Sequence, residues 1–278
     1  MPDQSVKVAM CQIKVEASRP EENFTRAEEM LRSAAQMGAH IAVLPECFDL
    51  GWANPEAETL AQPIPGPRAA QLSVWAKELS LYICAGLTER AGEKLYNTAV
   101  LYDDQGALLG VHRKINILTD VEGLYDVGDR LCVYHTPLGA IGMDICADNA
   151  ASSAVLAESL CRMGARIILS PCSWAVPPDC RRAYYGGEWY APYSRLAKLY
   201  GVPVVGVSNV GKVTAGAWAG WSCIGSSIAL FPDGVSGTTL PYGEEAACLR
   251  VLDVPLRAPA LRGTALSQEV ARRAAALQ

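Results

Sequence analysis

The segment Ala140-Ile141-Gly142-Met143-Asp144-Ile145-Cys146-Ala147-Asp148-Asn149 carries the strongest fold signal of the chain, an apolar run that stops at a cysteine. It predicts a buried strand over residues 140–146, followed by a helix from about residue 153. A strand end holds a nucleophile rigidly, and a helix N-terminus nearby favours a thiolate. A small buried residue is the commoner role of a cysteine in such a run, so this segment alone leaves both roles open.

The composition is that of a globular protein. Of 278 residues, 50% are hydrophobic and 19% are charged, so the chain can bury a large core. The net charge of −5 argues against a nucleic-acid surface. The first residues lack the features of a signal peptide, and no apolar run is long enough to span a bilayer. We therefore expect a cytoplasmic protein whose partners include neither nucleic acid nor membrane.

The ten cysteines are scattered, and no Cys-x-x-Cys pair occurs. This spacing is poor for a zinc site, and a chain of this size does not need disulfide bonds. Most of the cysteines, such as Cys84 and Cys248, fall in apolar runs, as small core residues in a reducing compartment do. The sequence thus predicts no metal site and no cofactor.

Strand and helix patterns alternate along the chain. Strands are predicted over residues 6–11, 41–44, 81–88, 95–102, 107–114, 131–136, 140–146, 166–170, 202–208, 223–231 and 246–254. Helices are predicted over residues 20–38, 68–79, 153–163 and 188–200, with irregular loops over residues 49–67, 116–129 and 171–182. Pro192 is compatible with its helix only in the first turn.

The strand count favours two packed sheets over one open sheet, because β–helix–β crossovers and hairpins are mixed among about ten strands. No composition shift suggests a linker. We predict one α/β domain over residues 1–260 and a tail over residues 261–278 that is helical.

Three predicted strands end in residues that a cysteine hydrolase could use: Glu46, Lys114 and Cys146. A thiol that attacks an amide carbon needs a base for its proton and a cation or donor for the developing oxyanion. A glutamate whose pKa is raised by burial can be that base and can later protonate ammonia. Taken singly, Glu46 could cap a turn or pair with an arginine, and Lys114 could mark a solvated strand end.

At these residues the chain resembles the nitrilase, or carbon–nitrogen hydrolase, superfamily, and it does so over nearly its whole length. The segments that carry the resemblance are Leu44-Pro45-Glu46, Tyr96-Asn97-Thr98-Ala99-Val100, His112-Arg113-Lys114, Ile145-Cys146-Ala147-Asp148 and Gly201-Val202-Pro203-Val204-Val205. The resemblance implies a four-layer αββα sandwich and a triad with Glu46 as base, Lys114 as oxyanion stabiliser and Cys146 as nucleophile. It also implies that Glu122 orients the lysine or the substrate; an exposed loop acid is the alternative.

One departure from the family pattern concerns the substrate. The residue after the nucleophile is commonly aromatic in the family, but here it is Ala147, which enlarges or reshapes the pocket. Its backbone N–H can still serve the oxyanion. The resemblance places Ser173 and Trp174 against substrate, and Trp52 is a further candidate, although each tryptophan could instead pack beneath a loop. Asn97 is expected to support Glu46 or the fold, and His112 to act indirectly or structurally.

The leading hypothesis is hydrolysis of a non-peptide C–N bond in a small amide or N-carbamoyl compound. Three alternatives stay open: a nitrilase, suggested by Cys146-Ala147-Asp148-Asn149; a papain-like pairing of Cys146 with His112 or His135; and a non-catalytic binding protein on the same fold. The resemblance also implies a homodimer or larger homo-oligomer. The helix with Trp189, Tyr190, Tyr193 and Leu196 is a candidate contact surface, and the Arg- and Ala-rich tail could cross to a partner.

Overall fold

Two six-stranded sheets form the centre of the molecule in a computed structural model that describes residues 4–180 and 187–275. The strands are β1 (Gln4–Gln12), β2 (Ile41–Val43), β3 (Tyr82–Ala91), β4 (Lys94–Tyr102), β5 (Leu108–Arg113), β6 (Val133–Thr136), β7 (Gly139–Met143), β8 (Ile167–Cys172), β9 (Ala175–Val176), β10 (Val204–Ser208), β11 (Val210–Lys212), β12 (Ser222–Ile224), β13 (Ile228–Leu230), β14 (Gly237–Thr239) and β15 (Cys248–Leu256). The α-helices are α1 (Pro20–Gln36), α2 (Ala57–Leu60), α3 (Pro67–Leu79), α4 (Thr119–Glu122), α5 (Val155–Met163), α6 (Gly187–Tyr200) and α7 (Ala265–Ala275).

The first sheet has the strand order β15-β1-β2-β3-β4-β5, with β1 parallel to β2 and antiparallel to β15. Along β1, Val6, Val8 and Met10 face the second sheet, whereas Ala9 and Cys11 face the outer helices. This alternation was predicted from the sequence and is confirmed. Helices α1 and α3 cover the outer face and bury their apolar sides there, including Leu31 of α1 and Leu72 of α3.

The second sheet has the order β14-β13-β10-β8-β7-β6, with β7, β8 and β10 parallel. Apolar residues from its two faces, from the inner face of the first sheet, and from α5 and α6 form one core cluster. The layers therefore run helix, sheet, sheet, helix. The predicted four-layer αββα sandwich is confirmed.

A third, smaller sheet has the order β11-β12-β9 and was not predicted. The single strand expected over residues 223–231 is wrong, because the chain breaks at Gly225 and Ser226, which have φ values of +63° and +54°. A Cβ at Gly225 would lie 2.3 Å from Nε2 of Gln12, so only glycine fits there. As a result β12 joins the small sheet and β13 joins the second large sheet.

Other predicted boundaries also need correction. The loops over residues 49–67 and 116–129 contain the short helices α2 and α4, and the loop over residues 171–182 contains β9, although residues 181 and 182 lie outside the described residues. Pro192 is not in the first turn of its helix, because α6 already begins at Gly187. The helix tolerates it at the cost of one i to i−4 hydrogen bond, to the carbonyl of Glu188.

The proposed contact surface on α6 is wrong as a set. Tyr193 and Leu196 are buried in the core, and only Tyr190 of the four side chains is exposed. Helix α7 lies in the predicted helical tail. Within the ranges that the structure describes, no helix is both long and apolar enough to cross a membrane.

Candidate active site

Glu46 lies just beyond the end of β2, in a turn that packs closely on β3. Its backbone N–H donates to the carbonyl of Cys172 at 3.2 Å, and Pro45 accepts from the N–H of Gly86 at 3.0 Å. A Cβ at Gly86 would lie 2.5 Å from the Cα of Glu46. Glycine at this position therefore lets the two backbones approach and fixes the carboxylate between the sheets.

Lys114 follows β5 and is held between two carboxylates. Its Nζ donates to Oε1 of Glu46 at 2.8 Å and to both oxygens of Glu122 at 2.7 and 2.9 Å. Asn97 of β4 donates from Nδ2 to the same two carboxylates, at 2.6 and 3.1 Å. All four side chains are buried, so the network fixes the ammonium in one position. The expected support of Glu46 by Asn97 is confirmed.

The charges in this network shift one another's protonation. Burial alone would lower the pKa of Lys114, but the carboxylates of Glu122 and Glu46 outweigh it and hold the pKa well above its ordinary value. Burial raises the pKa of Glu46, against the opposing effect of Lys114. Oε2 of Glu46 has no hydrogen-bond partner among the described residues. The surroundings thus favour the charged form of Lys114, and burial gives Glu46, one oxygen of which has no partner among the described residues, an enhanced affinity for protons.

Cys146 lies beyond the strand rather than at its end. Strand β7 stops at Met143, and Cys146 begins a 3-10 helix (Cys146–Asn149) with φ of +47°, a rare value for a residue other than glycine. The strand predicted up to residue 146 is therefore three residues too long. Such strain is found where surrounding contacts impose it, often at functional sites.

Asp148 supplies those contacts. Its Oδ1 accepts from the backbone N–H groups of Ile115 and Asn116 at 3.2 and 2.6 Å. Its Oδ2 accepts from the N–H of Ile145 at 3.2 Å and lies 2.9 Å from Nε2 of His112. The carboxylate thereby ties the nucleophile segment to the segment that carries Lys114.

The surroundings of Cys146 favour its thiol over its thiolate. Burial raises its pKa well above the ordinary value, the neighbouring Cys172 thiol and the Glu46 carboxylate add to the rise, and Lys114 opposes it. Burial thus acts against the stabilisation of a thiolate by a helix N-terminus, which stays a prediction. The sulfur needs a base, and Glu46 is the carboxylate that raises its pKa.

Glu122 is fully buried, so the alternative of an exposed loop acid is wrong. Besides Lys114 and Asn97, its oxygens accept from Nε1 of Trp52 at 2.7 Å and from the N–H of Leu118 at 3.0 Å. Four donor groups make five hydrogen bonds to this one carboxylate, which orients it firmly. We call Glu46, Lys114, Glu122 and Cys146 together the cavity floor. Of these four, only Cys146 lines the cavity described next, and the other three are fully buried.

A cavity of about 480 Å³ opens above Cys146. Its lining includes the four predicted substrate-binding residues, Ala147, Ser173, Trp174 and Trp52. Ser173 already donates from Oγ to Oδ1 of Asn209 at 2.9 Å. Trp174 is buried, and its Nε1 has no hydrogen-bond partner among the described residues. The sequence therefore identified residues that the fold brings to one cavity.

The histidines do not serve Cys146. His112 is buried, and its Nε2 is engaged with Asp148. His135 is exposed on β6. The papain-like pairing is wrong for this arrangement, and His112 instead has the supporting role expected of it.

Comparison with known proteins agrees with this geometry. The profile of the carbon-nitrogen hydrolase family matches residues 7–258. The chain is similar to the omega-amidase NIT2 of Bos taurus, at 34% identity over 175 residues, which are 59% of this chain and 62% of that protein. It is also similar to a nitrilase of Pyrococcus abyssi (strain GE5 / Orsay), at 32% identity over 219 residues, or 76% of this chain and 82% of the relative. The chain belongs to the carbon–nitrogen hydrolase family.

The fold of this carbon–nitrogen hydrolase recurs in solved structures. A carbon-nitrogen hydrolase from Helicobacter pylori G27 superposes with a TM-score of 0.78 at 20% identity, covering 90% of this chain and 89% of that one. The match to the omega-amidase spans less than two thirds of the relative, 62% of its length.

Three further parts of this carbon–nitrogen hydrolase site were missed in the sequence. Asp148 was noted only as part of a motif, Cys172 only as one of ten cysteines, and Trp189, Trp218 and Trp221 were not assigned to the pocket. The spacing of Trp218 and Trp221 in a glycine-rich segment was a usable signal. Among residues 4–180 and 187–275, no group of three or more His, Cys, Asp or Glu side chains is placed to hold a metal ion.

Proposed function

We propose that this protein hydrolyses a non-peptide C–N bond in a small amide or N-carbamoyl compound and releases ammonia. The observation that carries the proposal is the Lys114 ammonium held at 2.7–2.9 Å from Glu46 and Glu122 and close enough to Cys146, which lines the cavity, for their charges to interact. A buried cation with fixed donors beside a thiol suits stabilisation of an oxyanion on a carbon under attack.

In the first half of the reaction, Oε2 of Glu46 takes the proton of the Cys146 thiol while the sulfur attacks the carbonyl carbon. The negative charge moves to the carbonyl oxygen, where Nζ of Lys114 and the backbone N–H of Ala147 stabilise it. The Ala147 N–H lies in the first turn of its 3-10 helix, where N–H groups have no partner within the helix. The C–N bond then breaks, Glu46 returns its proton to the nitrogen, and ammonia leaves behind a thioester.

In the second half, Glu46 takes a proton from water and the resulting hydroxide attacks the thioester. The carbon–sulfur bond breaks, the acid leaves, and the sulfur regains a proton from Glu46. Glu122 holds Lys114 in place throughout and does not exchange protons, so it is a positioning residue. In the cavity, the unpartnered Nε1–H of Trp174 is available to donate to an oxygen of the substrate.

A nitrile is the second candidate substrate. Cys146-Ala147-Asp148-Asn149 is similar to the pattern of nitrile-hydrolysing members, and the Pyrococcus relative bears the name nitrilase. Attack of the same sulfur on a nitrile carbon, followed by reaction with two water molecules, would give the same acid. Comparing matched amide and nitrile substrates of one acid decides between them.

The test is replacement of the proposed nucleophile. Cys146→Ala should lower ammonia release from a panel of amides by about 10⁴-fold or more, as loss of a nucleophile does elsewhere. Cys132→Ala, which removes an exposed thiol instead, serves as the matched control and should keep wild-type rates. Wild-type activity in folded Cys146→Ala would contradict the proposal and would leave the non-catalytic alternative standing.

We further propose that the protein acts in the cytoplasm as a homodimer or larger assembly. With Tyr193 and Leu196 in the core, the exposed surface of α6 around Tyr190 is what remains of the predicted contact. A monomeric mass by light scattering at micromolar concentration would refute the assembly.

A further inference from the structure

Most of the tryptophans of this chain line a single cavity. Five of its six tryptophans line the space above Cys146. They come from the loop after Glu46, the end of β8, helix α6, and the segment between β11 and β12. The five are Trp52, Trp174, Trp189, Trp218 and Trp221.

Four of these rings form two stacked pairs, which we call the aromatic walls. Trp174 and Trp189 stack with ring centroids 4.9 Å apart and 17° between their planes. Trp218 and Trp221 stack at 3.9 Å and 16°. The ring centroid of Trp52 lies 5.1 Å from that of Trp218. Stacked rings hold each other in place, so these flat surfaces exist before any ligand enters.

The charges of the residues that line the cavity also favour an uncharged substrate. Among the described residues that line the cavity, none is a lysine or an arginine, and the one carboxylate is that of Glu188. Against these described residues, a substrate carboxylate would lose its hydration without gaining a cation and would meet Glu188 as well. The buried ammonium of Lys114 cannot compensate, because Glu46 and Glu122 already neutralise it.

We propose that the acyl group of the substrate carries an aromatic ring and no charge, and that this ring lies against the aromatic walls. The substrate class is then a primary amide of an arylalkanoic acid. This inference rests on the proposed hydrolysis of amides and adds to it which amides are preferred. The ring gains from stacking and from burial of apolar surface, whereas a bare alkyl chain gains only from the second.

A matched series of four amides tests the inference. Propionamide is compared with derivatives that carry a phenyl ring, a carboxylate or an ammonium group at carbon 3: 3-phenylpropionamide, succinamate and 3-aminopropionamide. We expect kcat/KM for the phenyl compound to exceed each of the other three by about tenfold or more. Equal values for the phenyl compound and propionamide, or a higher value for either charged compound, would overturn the inference.

A binding measurement distinguishes failure of this inference from failure of the proposed function. Calorimetry with Cys146→Ala, which cannot turn over, should show 3-phenylpropionamide binding about tenfold more tightly than propionamide. Tight aromatic binding without hydrolysis by the wild-type protein would refute the function and keep the inference. Hydrolysis of all four amides at similar rates would refute the inference and keep the function.

Substitutions in the walls locate the contact. Trp218 is half-buried in the segment between β11 and β12, so its replacement does not open the core. Trp218→Ala should lower the ratio of kcat/KM for 3-phenylpropionamide over propionamide about fivefold, and Trp218→Phe should restore most of it. Val235→Ala removes an exposed apolar side chain outside the cavity and should leave the ratio unchanged. An unchanged ratio in Trp218→Ala would refute the placement of the ring.

Discussion

The cavity floor consists of ionisable groups joined by hydrogen bonds, whereas the aromatic walls consist of rings held by stacking. In the floor, a lysine and two glutamates are fully buried, and the Nζ of Lys114 donates three hydrogen bonds at 2.7–2.9 Å. In the walls, Trp189, Trp218 and Trp221 are only partly buried and contact one another mainly through ring faces.

The two regions also come from different parts of the fold. Three floor residues, Glu46, Lys114 and Cys146, follow strands of the two large sheets, so the main core fixes their positions, and Glu122 ends the short helix α4. The walls come largely from α6 and from the segment beside the small sheet, which can change without moving the floor. We therefore expect the floor to determine the reaction and the walls to determine which acyl group reaches it.

Glu46→Gln should remove the proposed general base from the cavity floor and leave the aromatic walls unchanged. We expect kcat/KM to fall about 10³-fold, because the amide cannot take the thiol proton and a general base contributes 10²–10⁴-fold. The dissociation constant for 3-phenylpropionamide, measured by calorimetry, should stay within about twofold, since the rings are untouched. Lys114 keeps its pairing with Glu122, so the melting temperature should change little.

The matched control for this variant is Glu93→Gln, which neutralises an exposed carboxylate in the turn between β3 and β4. It should retain wild-type kinetics. A fall of less than tenfold in Glu46→Gln would show that another group takes the proton.

Asp144 provides a contrast to the paired charges of the floor. It is fully buried, and neither of its carboxyl oxygens has a hydrogen-bond partner among the described residues. Burial raises its pKa from 3.8 to about 7; the nearby hydroxyl of Ser170 and His112 oppose the rise, and Asp148 adds to it. The folded protein thus retains a proton that the unfolded chain releases above pH 4, so stability falls as pH rises from about 4 to about 7.

Asp144→Asn should remove this loss of folding stability with rising pH. With a difference of about three pH units and about 1.4 kcal/mol per unit, the variant should gain up to about 4 kcal/mol over wild type between pH 4 and pH 8. Urea unfolding of both proteins at the two pH values measures the gain, and other titrating groups cancel in the comparison. Parallel pH profiles for the two proteins would contradict the assignment.

Trp52 contacts both the cavity floor and the aromatic walls. Trp52→Phe therefore tests with which of the two regions its side chain acts. The ring is retained, but the N–H that donates to Glu122 at 2.7 Å is lost. We expect kcat to fall about fivefold for propionamide and 3-phenylpropionamide alike, as loss of one hydrogen bond to a charged acceptor allows. A changed preference between the two amides would place Trp52 with the walls. Trp75→Phe, at the one tryptophan outside the cavity, should leave kcat of the folded protein unchanged.

The sequence predicts the floor far better than the walls, for a physical reason. Glu46 and Lys114 each follow an apolar run closely, and apolar runs of this kind form the sheets. The faces of β1 follow from alternation of side chains and the two packed sheets from the number of predicted strands, whereas the four layers were implied by the resemblance to a family. Recognising that these residues belong together depended on the chemistry of thiol attack and on resemblance to a family.

The sequence pattern was least informative where backbone conformation departs from regular structure. The positive φ of Cys146 ended β7 early, and Gly225 with Ser226 divided one predicted strand between two sheets. Burial of Glu122 and the raised pKa of Cys146 depend on residues distant in sequence. The tryptophans of the walls are spread from residue 174 to residue 221, and no local periodicity brings them together.

The contact between Asp148 and the segment after Lys114 has a consequence for folding. Cys146 and Asp148 follow a strand of the second large sheet, whereas Ile115, Asn116 and Lys114 follow a strand of the first. The residues of the proposed site are thus divided between the two large sheets, which pack on a shared core. The proposed activity therefore requires that the two sheets be docked on each other, and we expect it to be lost when their packing is lost.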